Sequence, residues 1–161
     1  MIRPLARALI SRVSIAVIEL VIVVPMALAI LEVSKAVFVQ PDLKEPMDII
    51  TGIGMIMIGL GVVLEERKAL REIFGLVDGP DEAWQSHLDH SCHHAGVGQL
   101  VLGLFAEICI EMIRIPNTVI YTGDVDDYLV VAGSVMVAVA ALLLVRHAIS
   151  LLTMTPRQIS H

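Results

Sequence analysis

If the apolar segments of the chain are membrane helices, four side chains of the types that bind protons and metal ions lie at the same depth in the membrane. They are Glu19, Glu65, His93 and His147. At about 100° per residue, Glu65 and His147 also lie on helix faces that carry small residues, which let neighbouring helices approach. Imidazole and carboxylate groups together suit Zn or Fe, and a four-helix bundle can present them from facing helices. The sequence therefore predicts either a metal site or a hydrogen-bond network of these groups.

A second group of possible metal ligands is a row of imidazoles. His87, His90 and His94 recur at helical spacing, and His93 is adjacent to the last of them. This density could recruit a transition metal. No H-E-x-x-H or paired-cysteine motif fixes a coordination geometry, however. A pH-sensitive surface helix is the alternative interpretation.

Ionisable residues also occur toward the opposite ends of the apolar segments. Glu32 with Lys35 and Glu111 with Arg114 are i,i+3 pairs, which can neutralise charges that would cost about 2.5–3.5 kcal/mol each deep in a membrane. Glu107 has no such local partner, so we predict that it binds a proton or a cation on a pathway that includes the other acidic groups and Arg114. An interhelical ion pair of Glu107 with Arg114 or Lys35 is the alternative.

The composition predicts that the elements positioning these side chains are membrane helices. Of the 161 residues, 57% are hydrophobic and 17% are charged, which is too apolar for a soluble domain. Four segments are long enough to cross a bilayer core of about 30 Å, namely residues 13–39, 48–65, 95–115 and 128–147. We predict an all-α, polytopic membrane protein in which residues 1–161 form one domain of four transmembrane helices. Helices within residues 66–94 connect the second span to the third.

The four spans form two tandem hairpins with a similar charge pattern. Four charged residues recur 79 positions later, so that Glu32, Lys35, Asp48 and Arg67 are matched by Glu111, Arg114, Asp127 and Arg146. This pattern is typical of a 2+2 internal repeat. Two unrelated hairpins would also place charges at similar heights, so both interpretations stay open.

Basic residues are concentrated on one side of the predicted membrane. Those on that side are Arg3, Arg7, Arg12, Arg67, Lys68, Arg71, Arg146 and Arg157. Lys44 lies in an opposite loop. The positive-inside rule then predicts a multi-pass protein of a bacterial-type inner membrane, with both termini and residues 66–94 in the cytoplasm.

Two function classes are disfavoured by the residues present. The net charge of −6 and the lack of a long basic stripe argue against nucleic-acid binding. No nucleophile and base stand at a spacing that indicates an enzyme, although a metal-dependent activity stays open. Cys92 and Cys109 are not in a metal or redox spacing and are predicted to be plain thiols.

Small residues recur every seven positions in three of the spans. The pairs are Gly54 and Gly61, Gly96 and Gly103, and Gly133 and Ala140. Such stripes let helix backbones approach in a membrane, so they are predicted to face the interior of the bundle.

A further glycine, Gly79, precedes Pro80 and is predicted to end the helix that continues from the second span.

The layout of the chain resembles the phosphate-starvation-inducible PsiE-like membrane proteins. The similarity lies in four short spans, a Glu near the end of the first (Glu32), a His-containing cytoplasmic turn, and an Arg and Asp around the last outer loop (Arg114 and Asp127). The His87–His94 cluster has no counterpart in that pattern. The resemblance implies an integral inner-membrane protein without an assigned activity.

Two functions follow from the sequence. One is a small protein of the lipid bilayer that binds or conducts a cation or proton through intramembrane Glu and His residues, which needs a homo-oligomer to enclose a pathway. The other is a non-catalytic subunit that packs against other membrane subunits.

Overall fold

The computed structural model describes residues 8–39, 44–76, 82–117 and 125–154, and within these ranges the chain forms helices joined by short turns. The helices are α1 (Arg12–Val39), α2 (Lys44–Glu65), α3 (Arg67–Ile73), α4 (Glu82–Asn117) and α5 (Val125–Thr153). Four of them, α1, α2, α4 and α5, are long and apolar enough to cross a membrane. The all-α prediction with four candidate spans is therefore confirmed.

Helix α4 is longer than a bilayer requires. Its 36 residues extend about 54 Å at 1.5 Å per residue, whereas the hydrocarbon core is about 30 Å thick. The predicted third span, 95–115, occupies the C-terminal part of α4. The first turns of α4, which carry the histidines, therefore project beyond the apolar part of the bundle.

The short helix α3 follows α2 after a single turn residue, Glu66. It ends at Ile73, because Gly75 adopts a φ of 63° and the backbone N–H of Leu76 donates to the carbonyl of Arg71 at 2.9 Å. This is the Schellman arrangement, in which glycine accepts the left-handed conformation at no steric cost. The helix thus ends earlier than the break predicted at Gly79, which lies outside the described residues.

The four long helices pack in a closed ring. Helix α2 makes its most extensive contact with α4, α4 then packs on α5, and α5 packs on α1. The contact between α1 and α2 is much smaller, although these two helices are neighbours in the chain. The first and last long helices of the chain are therefore held against each other.

Small residues set the closest helix contact. All six members of the predicted stripes, Gly54, Gly61, Gly96, Gly103, Gly133 and Ala140, are buried, which confirms that the stripes face inward. A Cβ atom placed on Gly96 would lie 2.6 Å from the carbonyl oxygen of Gly61. Only glycine at both positions allows α2 and α4 to approach this closely.

Candidate functional site

A carboxyl group and an imidazole meet inside the bundle between the first and last long helices. Nδ1 of His147 on α5 lies 2.7 Å from Oε1 of Glu19 on α1. Glu19 is 0% exposed and His147 is 8% exposed. Both side chains are surrounded by an apolar core, where an isolated charge is costly. His147 thus lies in the interior, on the same face of α5 as Ala140.

Each partner of this pair keeps a second polar atom without a hydrogen bond. Oε2 of Glu19 and Nε2 of His147 are both buried and have no partner among the described residues. Buried polar atoms in native proteins are nearly always paired, so unpaired ones call for a water, a proton or an ion. The pair can hold one proton either as carboxylate with imidazolium or as carboxylic acid with neutral imidazole.

A buried amide lies farther along the same interior. The side chain of Gln99 on α4 is 0% exposed, and its Nε2 donates to the carbonyl oxygen of Ala140 on α5 at 2.8 Å. Its Oε1 is buried without a partner among the described residues. Because Ala140 and His147 are two turns apart on α5, Gln99 lies about 10 Å from the Glu19–His147 pair along the helix axis.

Glu107 lies two turns beyond Gln99 on α4. Its Oε1 is buried and has no hydrogen-bond partner within the described part of the chain. The carboxyl group fits against α2 because Gly54 lacks a side chain, since a Cβ there would lie 2.9 Å from this oxygen. Thr51, one turn from Gly54 on α2, also has a buried hydroxyl oxygen without a partner. The predicted ion pair of Glu107 with Arg114 or Lys35 is not among the contacts of the described residues.

Charged residues at this end of the bundle are paired instead with one another. Arg114 on α4 forms ion pairs with Asp48 on α2 and, at 3.3 Å, with Glu111. Glu32 and Lys35 on α1 pair at 2.9 Å, and both side chains are exposed. These groups form a charged rim above Glu107, and Arg114 is only about one-third exposed.

The remaining predicted ligands lie in a different place from Glu19 and His147. Glu65 and His93 line an open groove of about 470 Å³ between α2, α3 and α4. Within the described ranges, no three or more His, Cys, Asp or Glu side chains are arranged to hold a metal ion. The structure therefore brings together two of the four predicted residues, Glu19 and His147, and separates Glu65 and His93 from them.

An ionic cluster that the sequence did not indicate joins α3 to α4. Arg67 and Arg71 are each 3% exposed, and both donate to the carboxylate of Asp89, which is 7% exposed. Arg67 also donates to the carbonyl of Ile10 at 3.1 Å, and Arg71 pairs with Glu82 at 2.8 Å. Each guanidinium therefore donates to more than one acceptor, which offsets the cost of burying its charge.

No family model, no curated protein and no solved structure matches this chain. The resemblance to the PsiE-like proteins therefore stays a prediction.

The interior polar groups form three levels across the bundle. The Glu19–His147 pair lies at the end nearer the histidines, Gln99 at the middle, and Glu107 nearer the charged rim. Adjacent levels are about 10–12 Å apart along the helix axes. Each level therefore carries at least one buried polar atom without a partner among the described residues.

Proposed function

We propose that this chain is a small multi-pass membrane protein that binds and transfers protons through buried Glu and His side chains. The observation that carries the proposal is the buried Glu19–His147 pair, whose hydrogen-bonded atoms are 2.7 Å apart and whose members each keep one polar atom without a partner among the described residues. A proton that binds Nε2 can be passed on from Nδ1 to Oε1 across the hydrogen bond. Rotation of the carboxyl group then brings this proton to the position of Oε2, where it leaves, and rotation of the imidazole ring restores the starting tautomer. Intramembrane ionisable groups of this kind commonly mark proton relays.

A proton fits this site better than a metal ion does. A buried zinc site takes three or four ligands from the protein, because bulk water cannot complete its coordination as it can at an exposed site. Among the described residues, Glu19 and His147 have no third His, Cys, Asp or Glu ligand placed to complete such a site. A proton needs only the pair itself. The free Oε2 and Nε2 atoms then serve as its entry and exit.

Gln99 and Glu107 extend the proposal toward the other side of the membrane. Steps of about 10–12 Å between levels exceed a hydrogen bond of about 3 Å, so water molecules would have to bridge them. The Oε1 atoms of Gln99 and Glu107, which have no partner in the described part of the chain, can accept hydrogen bonds from such water. We place both termini in the cytoplasm of a bacterial-type inner membrane, which makes the Glu19–His147 pair the cytoplasmic level.

Reconstitution into lipid vesicles tests the proposal. Vesicles containing a pH-sensitive dye and a potassium-driven membrane potential should acidify faster with the wild-type protein than without protein. Glu19→Gln should remove the difference, because an amide cannot exchange a proton at physiological pH. His87→Ala, a substitution on the exposed part of α4, should leave it unchanged. If the wild type does not exceed empty vesicles, the pair is a structural hydrogen bond and the proposal is wrong.

A role as a subunit of a larger assembly is the second candidate. Gly52 and Gly59 are seven residues apart on the outer face of α2, both are exposed, and nothing in the described part of the chain lies within 4 Å of a Cβ placed on either. In membranes such a stripe allows a second helix to pack closely. The partner would be a second copy of this chain or another subunit. Replacing both glycines with Leu should lower the mass of the particle in detergent if this face is used, and leave it unchanged otherwise.

A further inference from the structure

The histidines at the start of α4 contain one pair whose geometry differs from the rest. Nε2 of His90 and Nε2 of His94 lie 3.1 Å apart, which is hydrogen-bond distance between one protonated and one unprotonated nitrogen, and the rings are nearly perpendicular at 82°. Both residues are exposed, so both nitrogens are reachable from solvent. His87 lies on the same helix and is also exposed, but no imidazole contact joins it to this pair among the described residues.

The separation of these two nitrogens matches what a chelated metal ion requires. Zn–N bonds are about 2.0–2.1 Å long, so two ligand nitrogens lie about 3.4 Å apart in a tetrahedral site and about 2.9 Å apart at a right angle. The observed 3.1 Å falls between these values. Two neutral imidazoles four residues apart on a rigid helix would therefore need little rearrangement to bind one ion.

The surroundings of the pair favour a cation. His90 lies on the wall of the groove of about 470 Å³, whose lining also includes the carboxylates of Glu65 and Glu66 and the ion pair of Lys68 with Glu72. Carboxylates around a concave surface raise the local concentration of cations. The opening of the groove supplies room for the water molecules that would complete the coordination of a two-histidine site.

We infer that His90 and His94 form a chelating site for a divalent transition-metal ion of the Zn²⁺ or Cu²⁺ type at the edge of this groove. The site is separate from the Glu19–His147 pair and does not depend on proton binding there. A bound ion would join two successive turns of α4 outside the apolar part of the bundle. It would thereby stabilise the helix that carries Gln99 and Glu107 into the interior.

Titration with Cu²⁺ tests this site, because Trp84 is the only tryptophan in the sequence. Trp84 precedes His90 by six residues on α4, or about 9 Å along the axis, close enough for a bound Cu²⁺ ion to quench its fluorescence. The wild-type protein in detergent should show saturable quenching, and Zn²⁺ should compete with it. His90→Ala and His94→Ala should each weaken Cu²⁺ binding by roughly tenfold or more, since one ligand of a chelate is lost.

Two control variants distinguish a defined His90–His94 site from scattered ion binding and from the buried proton-binding pair. His87→Ala should change the affinity less than about twofold, and an equal loss in His87→Ala and His90→Ala would show that the histidines bind ions without a defined site. Glu19→Gln should leave Cu²⁺ binding unchanged, so a failure of the proton proposal does not affect this result. If His90→Ala and His94→Ala bind Cu²⁺ as the wild type does, the inference is wrong.

Discussion

Replacing Gly61 with Ala tests the closest helix contact in the bundle. A Cβ atom at this position would lie 2.7 Å from the backbone nitrogen of Leu100 and 2.8 Å from the carbonyl oxygen of Gly96. Unbonded carbon atoms pack at about 3.5–4.0 Å, so α2 and α4 would have to separate by roughly 1 Å. The atoms that the added Cβ would contact are backbone atoms, so no side-chain rotation can relieve the contact.

The expected cost follows from two opposing effects. Inserting a methyl group into a packed interface typically lowers stability by about 1–3 kcal/mol. The loss is at the upper end of this range or above it when the methyl group meets backbone atoms, because these cannot move aside. Replacing glycine with alanine inside a helix raises the free energy of unfolding by up to about 1 kcal/mol. We therefore expect the Gly61→Ala protein to be less stable by about 2 kcal/mol. For a chain of this length that lowers the melting temperature by about 4–8 °C.

Circular dichroism compares the stability of the wild type and the variant. Helix content is followed during heating or during SDS titration in mixed micelles. Gly59→Ala is the matched control, because Gly59 lies on the same helix and no described atom is within 4 Å of its added Cβ. The control should equal the wild type or exceed it by up to about 1 kcal/mol. Equal stability of the two variants would show that α2 and α4 do not approach as closely as described.

Three further predictions concern a buried charge, the proton pathway and the orientation in the membrane. Asp89→Asn should destabilise the protein by about 3–5 kcal/mol, because it leaves the buried Arg67 without a counter-charge and Arg71 with Glu82 alone. Glu45→Gln, on an exposed side chain, should stay within about 0.5 kcal/mol. Glu107→Gln should slow proton transfer in vesicles more than Glu45→Gln does, and equal rates would remove Glu107 from the pathway. An impermeant thiol reagent applied to intact cells should label Lys44→Cys and spare Glu82→Cys, and the opposite labelling would invert the orientation.

Sequence patterns predicted the helices and their inward faces well where small residues recur. Gly54, Gly61 and Ala140 lie on stripes of period seven, and these stripes set the rotation of α2 and α5 about their axes. The inward position of His147 follows from that rotation. Glu19 was harder to place, because α1 is apolar on nearly every side and its sequence shows no preferred face.

No local pattern joins Arg67 and Arg71 to Asp89. The arginines are explained by the positive-inside rule, and Asp89 lies among histidines that resemble a solvent-exposed stretch. One signal was present, since the two arginines are four residues apart and share a face of α3. Their partner is set by how α3 packs against α4, which depends on tertiary structure rather than on local periodicity.

The Glu19–His147 contact joins residues that are 128 positions apart, in the first and last long helices. During synthesis Glu19 enters the membrane long before His147 exists. Until α5 is inserted, its carboxyl group has no imidazole partner and is stable in lipid only in its protonated form. A chain truncated before α5 would therefore keep Glu19 without its imidazole partner, so the complete bundle and the truncated one differ in the state of a single buried acid.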